Sequence, residues 1–225
     1  MRKAVVLLSG GLDSTVTLAI AIDEGMDAEA VSFRYGQRHT KELDSAEAVC
    51  SHYGIKRKVI DIDMTSFRSA LTDKSIDVPA DRKGELDKEI PSTYVPARNL
   101  IFMSIAVGIC ESSGAEAIYI GANAVDYSGY PDCRQEFFDS FAETLAKGTK
   151  AGTEGKAIEI RTPIISLSKA DIVRKGKELN APLHLTWSCY KGGDKACGRC
   201  DSCRLRLKGF REAGYEDEIQ YEAVQ

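Results

Sequence analysis

The chain has 225 residues, 43% hydrophobic and 28% charged, with a net charge of -4 and a sequence pI of about 5.5. That length and balance can bury a substantial core, the acidic charge speaks against a large nucleic-acid footprint, and no stretch approaches the roughly eighteen apolar residues of a membrane helix. Arg2-Lys3 and the apolar residues after them could open a signal peptide, but Ser9-Gly10-Gly11 cuts the run short. A cytoplasmic protein is expected, with its seven cysteines as thiols or metal ligands rather than disulfides.

Residues 4–8 read as a buried strand and residues 14–24 as a helix. Between them lies Ser9-Gly10-Gly11-Leu12-Asp13-Ser14. Two adjacent glycines let the backbone turn sharply and bring bare N–H groups to an anion. Ser9, Ser14 and Thr15 add hydroxyl donors, and the positive end of the helix dipole points into the loop. This is a phosphate cradle. It matches neither G-x-x-x-x-G-K-[ST] nor G-x-G-x-x-G, which are absent from the chain.

Further along, residues 28–33 read as a strand and 41–53 as a helix stopped by Gly54. Residues 59–62, 117–121 and 158–162 read as strands, and 99–112 and 136–146 as helices. Ser168 to Asp171 is a capping box that opens a helix to about residue 179. This alternation predicts an α/β domain with a mostly parallel sheet and helices on both faces, its ligand cleft at the carboxyl ends of the strands. Residues 64–90 and 147–156 break the pattern and read as surface loops, the first either a tolerated insertion or a lid. Residues 1–180 are expected to form the nucleotide-binding domain and 181–225 a C-terminal zinc-binding segment.

In that segment Cys189, Cys197, Cys200 and Cys203 follow the spacing C-x7-C-x2-C-x2-C. Four thiolates fill the shell of one Zn2+ at about 2.3 Å, so the site reads as structural. A disulfide fits the compartment poorly, and a redox pair needs only two sulfurs. An iron–sulfur cluster fits the same four ligands. Basic residues from Lys191 to Arg211 either compensate the charge of the thiolates or attract ATP or RNA. Cys50 and Cys110 fall in helical, apolar-periodic stretches and read as core.

Three loops carry polar residues where strands should end: 34–39, 92–99 and 121–134. Aromatics there suit a flat heterocycle, carboxylates an amidine-like edge, and arginines an anion. With the Ser9-Gly10-Gly11-Leu12-Asp13-Ser14 loop, Tyr35-Gly36-Gln37-Arg38-His39, Tyr94-Val95-Pro96-Ala97-Arg98-Asn99, Gly121-Ala122-Asn123, the run from Asp126 to Arg134, and Thr186-Trp187-Ser188-Cys189-Tyr190, the chain resembles the 7-cyano-7-deazaguanine synthases of the queuosine pathway. These belong to the pyrophosphate-loop ATP pyrophosphatase superfamily, with an adenine nucleotide alpha hydrolase-like, Rossmann-like fold. The resemblance implies ATP-dependent conversion of 7-carboxy-7-deazaguanine and ammonia to the nitrile, with release of AMP and pyrophosphate. It also implies Mg2+, one structural Zn2+ per chain and a homodimer, with no nucleic-acid or membrane partner.

On that resemblance, nucleotide would be held by Leu8, Ser9, Gly10, Gly11, Leu12, Asp13, Ser14, Thr15, Phe33 and Gly121. Asp13, Arg98 and Lys169 would serve the chemistry. Gln37, Arg38, Tyr94, Arg98, Asn99, Asp126, Tyr127, Tyr130, Asp132 and Arg134 would meet the substrate, with Asp126 or Asp132 reading the base. A tRNA-modifying pyrophosphate-loop enzyme or a non-catalytic nucleotide-binding protein are the competing readings.

Overall fold

A computed structural model describes residues 1–81, 90–125 and 130–223. Five parallel strands form its sheet: β1 (Lys3–Leu7), β2 (Asp27–Arg34), β3 (Arg57–Asp61), β4 (Ala117–Ile120) and β5 (Glu159–Arg161), in the order β3-β2-β1-β4-β5. Seven described helices accompany it: α1 (Leu12–Asp23), α2 (Lys41–Tyr53), α3 (Arg98–Ser113), α4 (Gln135–Gly148), α5 (Lys150–Thr153), α6 (Lys169–Glu178) and α7 (Asp201–Ala213). The expected α/β class and the predicted strands and helices are all present, with ends shifted by a residue or two.

Side chains alternate across a strand, so the apolar run of β1 serves two cores at once. Ala4, Val6 and Leu8 pack with Leu18 of α1 and Ala46, Val49 and Cys50 of α2. Val5 and Leu7 point the other way, toward Met103, Val107 and Cys110 of α3 and Phe138 of α4. The chain leaves β1 for β2 on one side and places β4 on the other. That reversal opens a crevice at the carboxyl end of β1, where the glycine loop lies.

Two expectations about loops are corrected. Residues 64–81 are not a plain surface excursion: Met64 and Leu71 belong to the core beside α3. Arg38 fastens this stretch, donating from Nε to the Ala70 carbonyl at 2.5 Å, from Nη2 to the Asp73 carbonyl at 2.9 Å and to the Ile76 carbonyl. Residues 147–156 contain the short helix α5, because the Thr149 hydroxyl accepts the Gly152 N–H at 2.9 Å and caps it. Ser168 caps α6 as its capping box predicts, accepting the Asp171 N–H at 3.2 Å.

Helix α7 falls within the C-terminal segment, for which no helix is predicted. Phe210 of α7 shares a core with Leu12 and Val16 of α1 and Ile172 of α6, so the C-terminal segment packs against the helix that carries the glycine loop. Among the described residues no helix is long and apolar enough to cross a membrane.

Candidate active site

The glycine loop forms one wall of a cleft of about 250 Å³. Gly10 has φ +87°, and a Cβ there would lie 2.1 Å from the Glu42 carbonyl oxygen, so only glycine lets the loop rest against α2. Gly11 precedes α1 in extended backbone. The Gly11 N–H donates to Ser9 Oγ at 3.2 Å, and Ser14 Oγ–H donates to the Gly11 carbonyl at 3.1 Å. Gly121, just past β4, comes so close that a Cβ would be 3.0 Å from the backbone of Asp13 and Ser14. Together they leave the N-terminal turn of α1 open to the cleft, the arrangement that binds phosphate. Thr15 is fully buried, its hydroxyl without a partner among the described residues.

Asp13 and Lys169 meet under this loop at 2.8 Å. Their ionic contact joins α1 to the capped start of α6, 156 residues on in sequence. Asn123 orients that start, donating from Nδ2 to the Leu167 carbonyl at 2.6 Å.

The second wall comes from the end of β2. Phe33 stacks on Phe102 of α3 with centroids 3.9 Å apart and planes within 7°. Gln37 lines the cleft, but its amide is spent on the local turn: Oε1 accepts the Tyr35 N–H at 2.8 Å and Nε2 donates to the Phe33 carbonyl at 3.2 Å. Arg38 also lines the cleft while holding residues 70–76. His39 donates from Nε2 to the Cys189 carbonyl at 2.9 Å; burial lowers its pKa.

Arg98, the first residue of α3, reaches the same cleft. Its cap, Ala97, holds the left-handed φ of +54°, with its N–H donated to the Tyr94 hydroxyl at 3.1 Å. Burial opposes the charge of Arg98, but the nearby hydroxyls of Tyr35 and Tyr130 outweigh it, so the guanidinium pKa is raised. Cys133 is in the cleft too, its thiol pushed up by burial to about 12, which does not suit a nucleophile.

The predicted substrate residues therefore scatter. Gln37, Arg38, Arg98, Asn99 and Tyr130 line the cleft; Tyr94, Asp132 and Arg134 do not. Asp132 is buried, and its Oδ2 accepts the backbone N–H of Asn99 at 2.9 Å, serving the N-terminus of α3. Asp126 and Tyr127 lie outside the described residues. Among the residues expected to hold nucleotide, Leu8, Ser9, Gly11, Leu12, Asp13, Ser14, Phe33 and Gly121 line the cleft, while Gly10 and Thr15 support it.

Sequence reasoning missed Glu42, Trp187, Ser188, Tyr190 and Arg206 as cleft residues. Burial raises the Glu42 carboxyl to about 7, with Arg98 pulling it back. The signal for Glu42 was its place in the first turn of the helix after β2, at the carboxyl edge of the sheet. For the C-terminal residues the signal was weaker, because only tertiary contact brings them in: the Trp187 N–H donates to the Gly10 carbonyl at 2.9 Å.

The four expected cysteines converge as buried sulfurs within 4.8 Å of one another. Backbone N–H groups of Cys197 and Cys200 point at Cys189 Sγ and Cys197 Sγ, at 3.4 and 3.3 Å. Such N–H···S contacts stabilise thiolate charge, and the group is fit to hold one metal ion. Of the basic residues around it, Arg206 is committed elsewhere, to Asp217 at 2.7 Å, with both side chains buried.

The chain is similar to known proteins along almost its whole length. The chain is 58% identical to the 7-cyano-7-deazaguanine synthase of Acetivibrio thermocellus, covering 98% of each chain. It is 55% identical to that of Thermoplasma volcanium, over 98% of this chain and 91% of the relative. Among solved structures it resembles a 4-thiouridine synthetase in complex with RNA and bound ATP, with a TM-score of 0.51, 20% identity and 98% of this chain covered. The chain spans about half (47%) of that protein. It also resembles a "predicted subunit of tRNA methyltransferase" from Methanocaldococcus jannaschii, with a TM-score of 0.50, 16% identity and coverage of 99% and 93%. At these identities the structural likeness speaks for the fold alone. The family model described as "Queuosine biosynthesis protein QueC" matches residues 3–214, and with relatives this similar along the whole chain, the protein belongs to that family.

Proposed function

We propose that the chain is a 7-cyano-7-deazaguanine synthase, an ATP-dependent carbon–nitrogen ligase that turns 7-carboxy-7-deazaguanine and ammonia into the nitrile. One observation carries this reading: a pyrophosphate-type loop and Arg98 line one cleft in a chain 58% identical to such a synthase throughout.

The chemistry suits the cleft. A carboxylate is a poor acyl donor, since oxide is a bad leaving group. Attack of its oxygen on the α-phosphate of ATP breaks the bond to pyrophosphate and gives an acyl-adenylate. Ammonia displaces AMP and loses a proton, leaving the amide. The amide oxygen attacks a second ATP in the same way. Loss of AMP and of the two amide protons then leaves the carbon–nitrogen triple bond. No step needs a protein nucleophile.

Ser9, Gly11, Asp13 and Ser14 are assigned to the phosphates, with Gly10 and Thr15 supporting the loop from behind, and Leu8 and Phe33 to the flanks of adenine. Arg98 and Lys169 are assigned to the charge that develops on the transferring phosphate. The Ser9 and Ser14 hydroxyls at the cleft are hard oxygen donors that would join the ATP phosphates around Mg2+, which would neutralise the departing pyrophosphate. The four cysteines are assigned to Zn2+, and the closed sulfur shell gives it a folding role in the segment 181–225. A cytoplasmic homodimer completes the proposal. The dimer rests on the family resemblance.

The test is a product assay. Incubation with ATP, 7-carboxy-7-deazaguanine and ammonia should release AMP and pyrophosphate and form the nitrile. Labelled ADP as the main product would refute it.

A further inference from the structure

Two carboxylates line the cleft among the described residues, and they differ in what they face. Asp13 is taken by Lys169. Glu42 has no hydrogen-bond or ion-pair partner among the described residues. Its main chain is locked by the close approach of Gly10, so this acid is presented from a fixed support. The charged or titratable groups that bear on it are Arg98 from α3, Tyr35 from the end of β2 and Cys189 from the C-terminal segment. Burial already holds its carboxyl near pH 7, which marks an acid whose charge lacks hydrogen-bond donors.

We propose that Glu42 accepts two parallel hydrogen bonds from the N1–H and 2-amino group of the substrate's deazaguanine ring, and so selects a 2-amino base. This rests on the synthase reading above. The match is one of charge and shape. The substrate offers a flat ring with two adjacent donors at one end and a carboxylate on the five-membered ring. The cleft offers a carboxylate unpaired among the described residues, a guanidinium within electrostatic reach of it, and the Phe33–Phe102 stack. A planar carboxylate meets two parallel N–H donors bidentately. Asp132, a candidate for this role on the family resemblance, is occupied at the start of α3.

The test measures binding of 7-carboxy-7-deazaguanine, and of its analogue lacking the 2-amino group, to the wild-type full chain and to Glu42→Gln. A non-hydrolysable ATP analogue serves as the folding control. Wild type should prefer the amino base, and Glu42→Gln should lose on the order of 30-fold for that base while changing little for the analogue. Discrimination between the two should therefore collapse. Equal affinity of wild type and Glu42→Gln for the amino base overturns the proposal. Equal affinity together with a fall in kcat and loss of the acidic limb of the pH profile overturns it too, and makes Glu42 a proton acceptor. Wild type that binds the ATP analogue but neither base overturns the synthase reading itself.

Discussion

Lys169 Nζ lies 2.8 Å from each carboxylate oxygen of Asp13. The couple is largely enclosed, with side-chain exposures of 8% and 21%. Gly209 of α7 presses on it from behind, since a Cβ there would be 2.4 Å from Lys169 Cγ. The ammonium is therefore fixed at the edge of the glycine loop by an acid on one side and a bare backbone on the other. A preset cation costs no reorganisation when charge develops on a phosphate.

Removing either member should stop the chemistry. Asp13→Asn is expected to fold and to lose AMP release by at least about 100-fold, because the ammonium is no longer aimed. Lys169→Ala should lose as much and also unfold more easily, since it leaves Asp13 uncompensated in a partly buried place. Steady-state AMP production with a thermal melt checks both, and wild-type turnover in either variant counts against the assignment.

Gly10→Ala should be harsher than a cleft mutation. The added carbon would lie 2.1 Å from the Glu42 carbonyl oxygen and 2.6 Å from the Ala46 nitrogen, both backbone. No rotamer relieves that, so α2 must move off the loop. A loss of roughly 3 kcal/mol or more is expected from overpacking and the positive φ together. Urea unfolding measures it; a midpoint close to wild type would mean the loop is loosely seated.

Replacing any one of Cys189, Cys197, Cys200 or Cys203 by Ser should lose one metal equivalent and solubility before it alters the chemistry. Binding energy at a closed four-sulfur site is largely folding energy. A strong chelator should cause aggregation rather than reversible inhibition. Elemental analysis should find zinc; iron with a visible absorption band would identify an iron–sulfur cluster instead.

Glu42 makes stability depend on pH in a stated direction. Its carboxyl is raised from 4.5 in the open chain to about 7 in the fold. Between those values the folded state binds the proton more tightly, so this group's contribution falls as pH rises from about 4.5 to 7 and stays low above. Glu42→Gln removes the penalty. At pH 8 it should be more stable than wild type by about 1–2 kcal/mol, allowing for partial solvent access, and near pH 4 the two should converge. Denaturant titrations at the two pH values decide; a gain of equal size at both would locate the effect elsewhere.

The fold was legible where the chain obeys a single period. The apolar runs of β1 and β4, and the apolar spacing of α2 stopped by Gly54, mark their elements without help from the rest. So does the glycine loop, because its chemistry is local. Legibility failed where a residue's role depends on a distant partner. Asp132 reads as a free cleft acid until Asn99 claims it. Arg38 reads as an anion clamp until the carbonyls of residues 70–76 absorb it. Residues 64–81 look polar as a string, yet Met64 and Leu71 are placed to reach the core. Glu42 passed unnoticed among the ordinary charges of a helix start.

One backbone contact ties two regions that would otherwise seem independent. Trp187 gives its N–H to Gly10 and its indole N–H to the carbonyl of Cys189, at 2.9 and 3.1 Å, so a single residue spans the glycine loop and the sulfur cluster. Lys41 rests 4.0 Å from the centre of its ring and holds the carbonyls of Gly193 and Asp194. Two ligands that order the same stretch of chain must help one another equally. ATP should therefore slow the escape of the metal to a chelator, and metal-depleted protein should need more ATP to reach half saturation.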